Sequence, residues 1–217
     1  MGDEVRSGGG AGDFLEAVTE VARLLGYEEV AVRPGDRQVR HLAHALRGPL
    51  LGRAALGEEL FAPLMAAAVH DPDPSFCRWF VEPAVYGYGR RRVMAALVAY
   101  LRTGTDAERA GAERAWYCAH VPVRPDRSPA YGPGGVRDPA LDASRDVQDD
   151  WLEASMRVFA EVADPGTRRR VVRWLPTSRE AYPPRLRALL DRTRASARDD
   201  PDPYVRGWGA SADRDAG

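Results

Sequence analysis

Lysine is absent from this 217-residue chain; all 31 basic residues are arginine. GC-rich coding produces such a bias without any demand for guanidinium groups, but the chemical consequence is firm. Neither a lysine Schiff base nor a P-loop lysine exists here. Cysteine is scarce: Cys77 and Cys118 are too few for a disulfide framework. Each sits beside aromatic residues in an apolar helical stretch, Cys77 between Phe76 and Trp79 and Cys118 after Trp116 and Tyr117. That setting predicts buried free thiols in a reducing compartment. No run approaches the roughly 18 apolar residues that a spanning helix needs. Met1 to Gly12 is Gly-rich and polar and has no apolar segment of the signal-peptide kind. A soluble, cytoplasmic chain without membrane contact is therefore expected. Net charge is nearly absent as well, −1 from 31 basic and 32 acidic residues. This balance argues against a surface built wholesale to coat nucleic acid or anionic lipid, although an average does not exclude a local patch.

What is present is a repeating signature: Asp, often Asp-Pro, followed within a few residues by an apolar residue and Arg. It reads Asp36-Arg37-Gln38-Val39-Arg40, Asp71-Pro72-Asp73-Pro74-Ser75-Phe76-Cys77-Arg78, Asp164-Pro165-Gly166-Thr167-Arg168 and Asp200-Pro201-Asp202-Pro203-Tyr204-Val205-Arg206. Asp36, Asp71 and Asp106 stand 35 residues apart, and Asp164 and Asp200 stand 36 apart. A fixed period of this length in a helix-patterned chain marks stacked helical hairpins.

Helical spacing runs through most of the sequence. Asp13 and Glu16 have capping-box spacing ahead of Phe14, Val18, Val21 and Leu25, and Gly26 ends that segment. After a turn at Pro34-Gly35, Asp36 is expected to cap a helix carrying Val39, Leu42, Ala43 and Leu46, stopped at Gly48-Pro49. A third helix covers about 57–69, with Pro63 predicting a kink or a late start. Phe76, Trp79, Phe80 and Ala84 form the next face, with a kink at Pro83. The clearest stripe is Val93, Met94, Leu97, Val98 and Leu101. Thr105 or Asp106 caps a helix reaching Cys118. Residues 120–140 hold five prolines and three glycines, which predicts a long irregular loop that is either functional or disordered. Pattern resumes near Ser144 or Asp146 through Trp151 and Phe159, again over 167–174, and again from Pro183 or Pro184 to Ala197. Residues 1–12 and 207–217 are expected to be tails, leaving one domain over 13–206 interrupted by the Pro/Gly loop.

These features resemble the HEAT-like repeats, including the short bilin-lyase type whose second helix opens with Asp-Pro-Asp-Pro-x-Val-Arg. Asp200 to Arg206 matches that opening residue for residue. Asp71 to Arg78 matches with one residue inserted and Cys77 in the Val place, and Asp36 to Arg40 matches its end. The resemblance covers 13–206, weakening at Asp106 and failing across the Pro/Gly loop. It implies an all-α solenoid of antiparallel hairpins, about five, in which the Asp caps a helix and the Arg pairs with the Asp of a neighbouring repeat. It also implies a concave face of the kind most often used to hold a protein partner.

Two basic clusters are candidate binding sites. In Tyr86-Gly87-Tyr88-Gly89-Arg90-Arg91-Arg92, three arginines at a helix start stand beside two tyrosines, a combination able to grip phosphate or carboxylate. Cations there oppose the helix dipole by a few tenths of a kcal/mol each, about 0.3 or more, so either use or solvated arginines with packed tyrosines explains them. Arg168, Arg169 and Arg170, with Arg173, form the second cluster, near Trp174. Trp151, with Asp149, Asp150 or Glu153, is the one set suited to a base-excising site, although the acidic stripe Asp142, Asp146, Asp150 and Glu153 repels phosphate.

His41 and His44 lie at i, i+3, with His70 and His120 elsewhere, but no carboxylate-histidine or Cys-x-x-Cys motif accompanies them, so no metal is expected. No Gly-x-Ser-x-Gly nucleophile setting occurs, and the glycine clusters do not join a strand to a helix, so no cofactor is expected either. The leading expectation is a non-enzymatic scaffold that holds a protein or peptide on its concave face, with the 120–140 loop as a clamp. The alternative is a nucleic-acid-binding protein such as a HEAT-like alkylpurine DNA glycosylase. A third reading, a chaperone-like lyase seating a chromophore, rests on the repeat resemblance alone.

Overall fold

The computed structural model describes residues 9–27, 37–53, 55–120, 122 and 139–211. Asp36 and its expected cap, the Pro34-Gly35 turn and nearly all of the 120–140 loop lie outside these residues. Among the described residues the chain is all-α, with ten α-helices, short 3₁₀ turns and no strand. No described helix is long and apolar enough to cross a membrane. Two compact units emerge, residues 1–97 with 114–144, and residues 98–113 with 145–217.

The first unit holds α1 (Gly9–Leu24), α2 (Arg37–Gly52), α3 (Phe61–His70), α4 (Arg78–Tyr88), the first turns of α5 (Arg90–Thr103) and the end of α6 (Asp106–Ala119). Helix α1 packs on α2 and α3, and α4 packs on the same two helices. Phe14, Val18 and Val21 place one apolar stripe of α1 in the core. That helix starts at Gly9, four residues ahead of the expected Asp13 cap. It ends as anticipated at Gly26, whose φ of +85° suits a residue without a β-carbon. There the Gly26 amide donates to the Arg23 carbonyl and the Tyr27 amide to the Ala22 carbonyl, a Schellman closure.

Two prolines separate one difference from the sequence reading from one agreement with it. Helix α2 does not stop at Gly48-Pro49 but continues to Gly52. Leu46 and Leu50, both buried, hold that last turn in the core despite the missing Pro49 donor. Pro63 lies in the first turn of α3, where an amide has no helical partner to lose, so it marks a late start.

The second unit holds the remainder of α5 and α6 with α7 (Arg145–Glu161), α8 (Pro165–Arg173), α9 (Pro184–Arg198) and α10 (Pro203–Gly209). Helix α7 packs on α8 and α9, and α10 packs on both of these. Thr105 rather than Asp106 caps α6. Its hydroxyl accepts from the Glu108 amide at 3.3 Å, while Glu108 accepts from the Thr105 amide at 2.7 Å. Residues 207–211, expected as tail, are ordered: Trp208 is buried and its indole donates to the Leu175 carbonyl at 3.1 Å. The burial of that one large side chain outweighs the poor helix propensity of Gly207 and Gly209.

Candidate functional site

The Asp-Pro signature builds the same device once in each unit. Asp71, with no exposed surface, accepts two parallel bonds from the Arg40 guanidinium at 2.8 and 2.6 Å. Its carboxylate also receives the Asp73 amide at 2.9 Å, and Asp73 in turn receives the Ser75 amide at 2.8 Å. In the second unit Arg168 donates to Asp200 at 2.8 Å, Asp200 receives the Asp202 amide at 2.9 Å, and Asp202 receives the Tyr204 and Val205 amides. The donor and acceptor stand 31 residues apart in one copy and 32 in the other. Proline removes amides from these turns, and the carboxylates bind the remaining ones. Aromatic faces complete each pocket: Arg40 lies over Phe14, Phe76 and Trp79, and Arg168 stacks 4.0 Å from the Phe159 ring centre.

These bonds account for most of the basic side chains singled out as ligand grips. Arg168 is taken by Asp200 and the Phe159 carbonyl, and Arg169 by Asp202 and the ring of Tyr204. Arg173 is exposed, 5.9 Å from the ring of Trp174, whose indole donates to the buried Glu113 at 2.7 Å. Arg90 donates to the Ala119 carbonyl, and its amide bonds Asp142. Arg92 pairs with Glu58 and covers the rings of Phe61 and Tyr88, which holds the Glu58 carboxyl below its ordinary range. Tyr86 and Tyr88 are buried, and Arg91 is exposed. The Tyr88 hydroxyl donates to the Gly57 carbonyl, and burial pushes its phenol up to about 12.

The two clusters belong to different units. Trp151, only 3 % exposed, presents no ring face for a stacked base. Its neighbouring carboxylates face arginines: Asp149 lies 3.9 Å from Arg145 and from Arg185, and Asp150 lies 3.7 Å from Arg102. The histidines are dispersed, His44 against Trp79 and His120 against Trp116. No group of three metal-ligating side chains occurs among the described residues.

One open groove in the second unit was not singled out from the sequence. It has a volume of about 300 Å³ and lies along α7 and α9, lined by Glu153, Arg157, Arg185, Leu186, Leu189 and Arg192. Glu153 accepts from Arg157 at 2.8 Å and from Arg185 at 2.9 Å. Arg157 first, then Arg185, hold its carboxyl below the usual range against the opposing effect of burial. Three arginines and one glutamate thus line the groove, two of the arginines bonded to that glutamate, and Asp149 at 3.9 Å from Arg185 offsets one more positive charge. The floor is apolar and the rim positive. The signal was present as Arg185, Leu189 and Arg192 at i, i+4 and i+7, one face of a helix.

Compared with protein-family models, with curated proteins and with solved structures, the chain finds no match in any of the three.

Proposed function

We propose that this chain is a non-enzymatic binding module of the HEAT-like repeat class that holds an acidic, extended peptide segment of a partner protein. The observation that carries the reading is the groove of α7 and α9, with its leucine floor and its excess of guanidinium groups. The repeat class is supported by two Arg–Asp pairs of the same design, set 31 and 32 residues apart. Those pairs support the repeat architecture, and the groove adds three further arginines, Arg192 together with Arg157 and Arg185, which share Glu153.

Geometry narrows the ligand. Arg185 and Arg192 are two turns apart on α9, about 10.5 Å along the axis at ~1.5 Å per residue. A polyproline-type peptide advances about 3.1 Å per residue with three residues per turn. Carboxylates three residues apart therefore lie on one face, roughly 9 Å from each other, with an apolar residue between them for Leu186 and Leu189. Guanidinium forks suit such carboxylates.

The test is fluorescence anisotropy with a labelled Glu-Leu-Pro-Glu peptide, a sequence-reversed-charge control and a single-stranded oligonucleotide. Binding of the acidic peptide, weakening with salt and falling at least about tenfold in R185E/R192E, is expected; tenfold is about 1.4 kcal/mol. Equal binding by the double variant would sink the groove assignment. A clear preference for the oligonucleotide would replace the peptide by nucleic acid.

A further inference from the structure

Cys77 and Cys118 are 41 residues apart in sequence, yet their sulfur atoms lie 3.6 Å from each other in the first unit. Both are free thiols. Two elements bring them together. Cys77 closes the turn that leads into α4, and its thiol also lies 3.5 Å from the Pro74 carbonyl. Cys118 sits in the last turn of α6, four residues after Arg114, which donates to the Asp71 carbonyl at 3.0 Å. The Asp71 turn therefore anchors both partners, through the chain itself on one side and through Arg114 on the other. In the second copy of the signature the place of Cys77 is filled by Val205, fully buried. A side chain of that size satisfies the packing, so a thiol there, facing a second thiol, is more than the packing requires.

We infer that Cys77 and Cys118 form a peroxide-sensitive dithiol that closes to an intramolecular disulfide, with Cys118 as the attacking thiol and Cys77 as the resolving one. Cys118 is the more accessible of the two, 8 % exposed against 0 % for Cys77. The environment agrees: the contact with Cys77, in which either thiol can donate, lowers the Cys118 thiol when Cys77 is the donor, burial opposes this, and Arg78 adds attraction while Glu82 opposes it. Cys77 is pushed the other way by its bond to Cys118, by burial and by the Asp71 charge, against Arg114. One sulfur is thus prepared to attack and the other to wait.

The chemistry balances with hydrogen peroxide as oxidant. The Cys118 thiolate attacks one peroxide oxygen, the O–O bond breaks, and with one proton the products are a Cys118 sulfenic acid and water. The Cys77 sulfur then attacks the sulfenic sulfur, the S–O bond breaks, and the Cys77 proton leaves with the hydroxyl as a second water. Two thiols lose two electrons, and one peroxide becomes two waters. Closing the pair needs an approach of about 1.6 Å, from 3.6 Å to a bond of about 2.05 Å. A dithiol reductant reverses the step by exchange.

The experiment uses the reduced full chain treated with hydrogen peroxide, followed by alkylation under denaturing conditions and mass spectrometry. The expected product is a monomer lighter by about two hydrogens, with both alkylation sites lost and a proteolytic peptide joining Cys77 to Cys118. In C77S, a 1,3-diketone probe should trap the sulfenic acid on Cys118; in C118S, Cys77 should react at least about tenfold more slowly. Two fully alkylatable thiols after peroxide, or disulfides formed only between molecules, would overturn the pair. Faster reaction at Cys77 than at Cys118 would overturn the assignment of roles. The wild-type mass readout stands even if a variant folds poorly.

Discussion

Replacing Asp71 by Ala tests the central physical argument. Asp71 is fully buried and holds the Arg40 fork and the Asp73 amide, so truncation strands two sets of donors. Arg40 is itself only a quarter exposed and is enclosed by Phe14, Phe76 and Trp79, so water does not freely replace the lost carboxylate. Removing one partner of a buried ion pair costs about 3–5 kcal/mol, and the turn loses a cap besides. For a chain of this size that corresponds to a fall in midpoint of roughly 6–20 °C, at about 2–4 °C per kcal/mol. The assay is thermal and urea unfolding by circular dichroism, with E20A as control. Glu20 pairs with Arg23 on the surface, and its loss should leave the midpoint unmoved. The double variant R40M/D71L should recover much of the loss, because an apolar pair of similar size spares both desolvation costs. A loss below about 1 kcal/mol in D71A would refute the reasoning, since that is the scale of an exposed pair.

Two further outcomes follow from buried side chains. W208A should destabilise the second unit by about 3–5 kcal/mol, since the indole is buried and bonded to Leu175; unchanged urea unfolding would show that residues 203–211 do not stabilise it. Tyr88 should make folding sensitive to alkali. Its phenol is raised to about 12 by burial and by Glu58 and Glu59, so its contribution is complete below the unfolded value near about 10 and is lost as pH rises through 12. Y88F should flatten the alkaline loss of stability and remove one late-titrating phenol from the absorbance at 295 nm, and an identical alkaline slope in Y88F would contradict this.

Local rules carried the sequence reading as far as single helices. Asp before a proline announced the caps at Asp164 and Asp202, while for α6 the sequence left Thr105 and Asp106 both open and the structure shows Thr105 paired with Glu108. Partnerships across tens of residues were a different matter. Arg168-Arg169-Arg170 reads as a solvated basic run until Asp200 and Asp202 are folded back onto it. The Trp151 face was ambiguous because periodicity alone does not tell a packed indole from a presented one. Gly209 falls in the stretch expected as a tail, whereas a β-carbon there would lie 2.9 Å from the Arg198 amide. Glycine in that place permits α10 to approach α9. The groove and the dithiol escaped for one shared reason: each is divided between helices whose packing no short motif encodes.

The Asp71 turn also has a timetable. Its contact with Arg40 reaches back 31 residues, whereas its contact with Arg114 reaches forward 43. A ribosome adding about 5–20 residues per second needs roughly 2–9 s for that forward stretch. During this interval the Arg40–Asp71 pair has both its members, but the end of α6 that places Cys118 against Cys77 has not been made. The nascent chain therefore passes through a stage in which Cys77 lacks its partner sulfur, and the order of synthesis, rather than the finished fold, decides how long that thiol stands open.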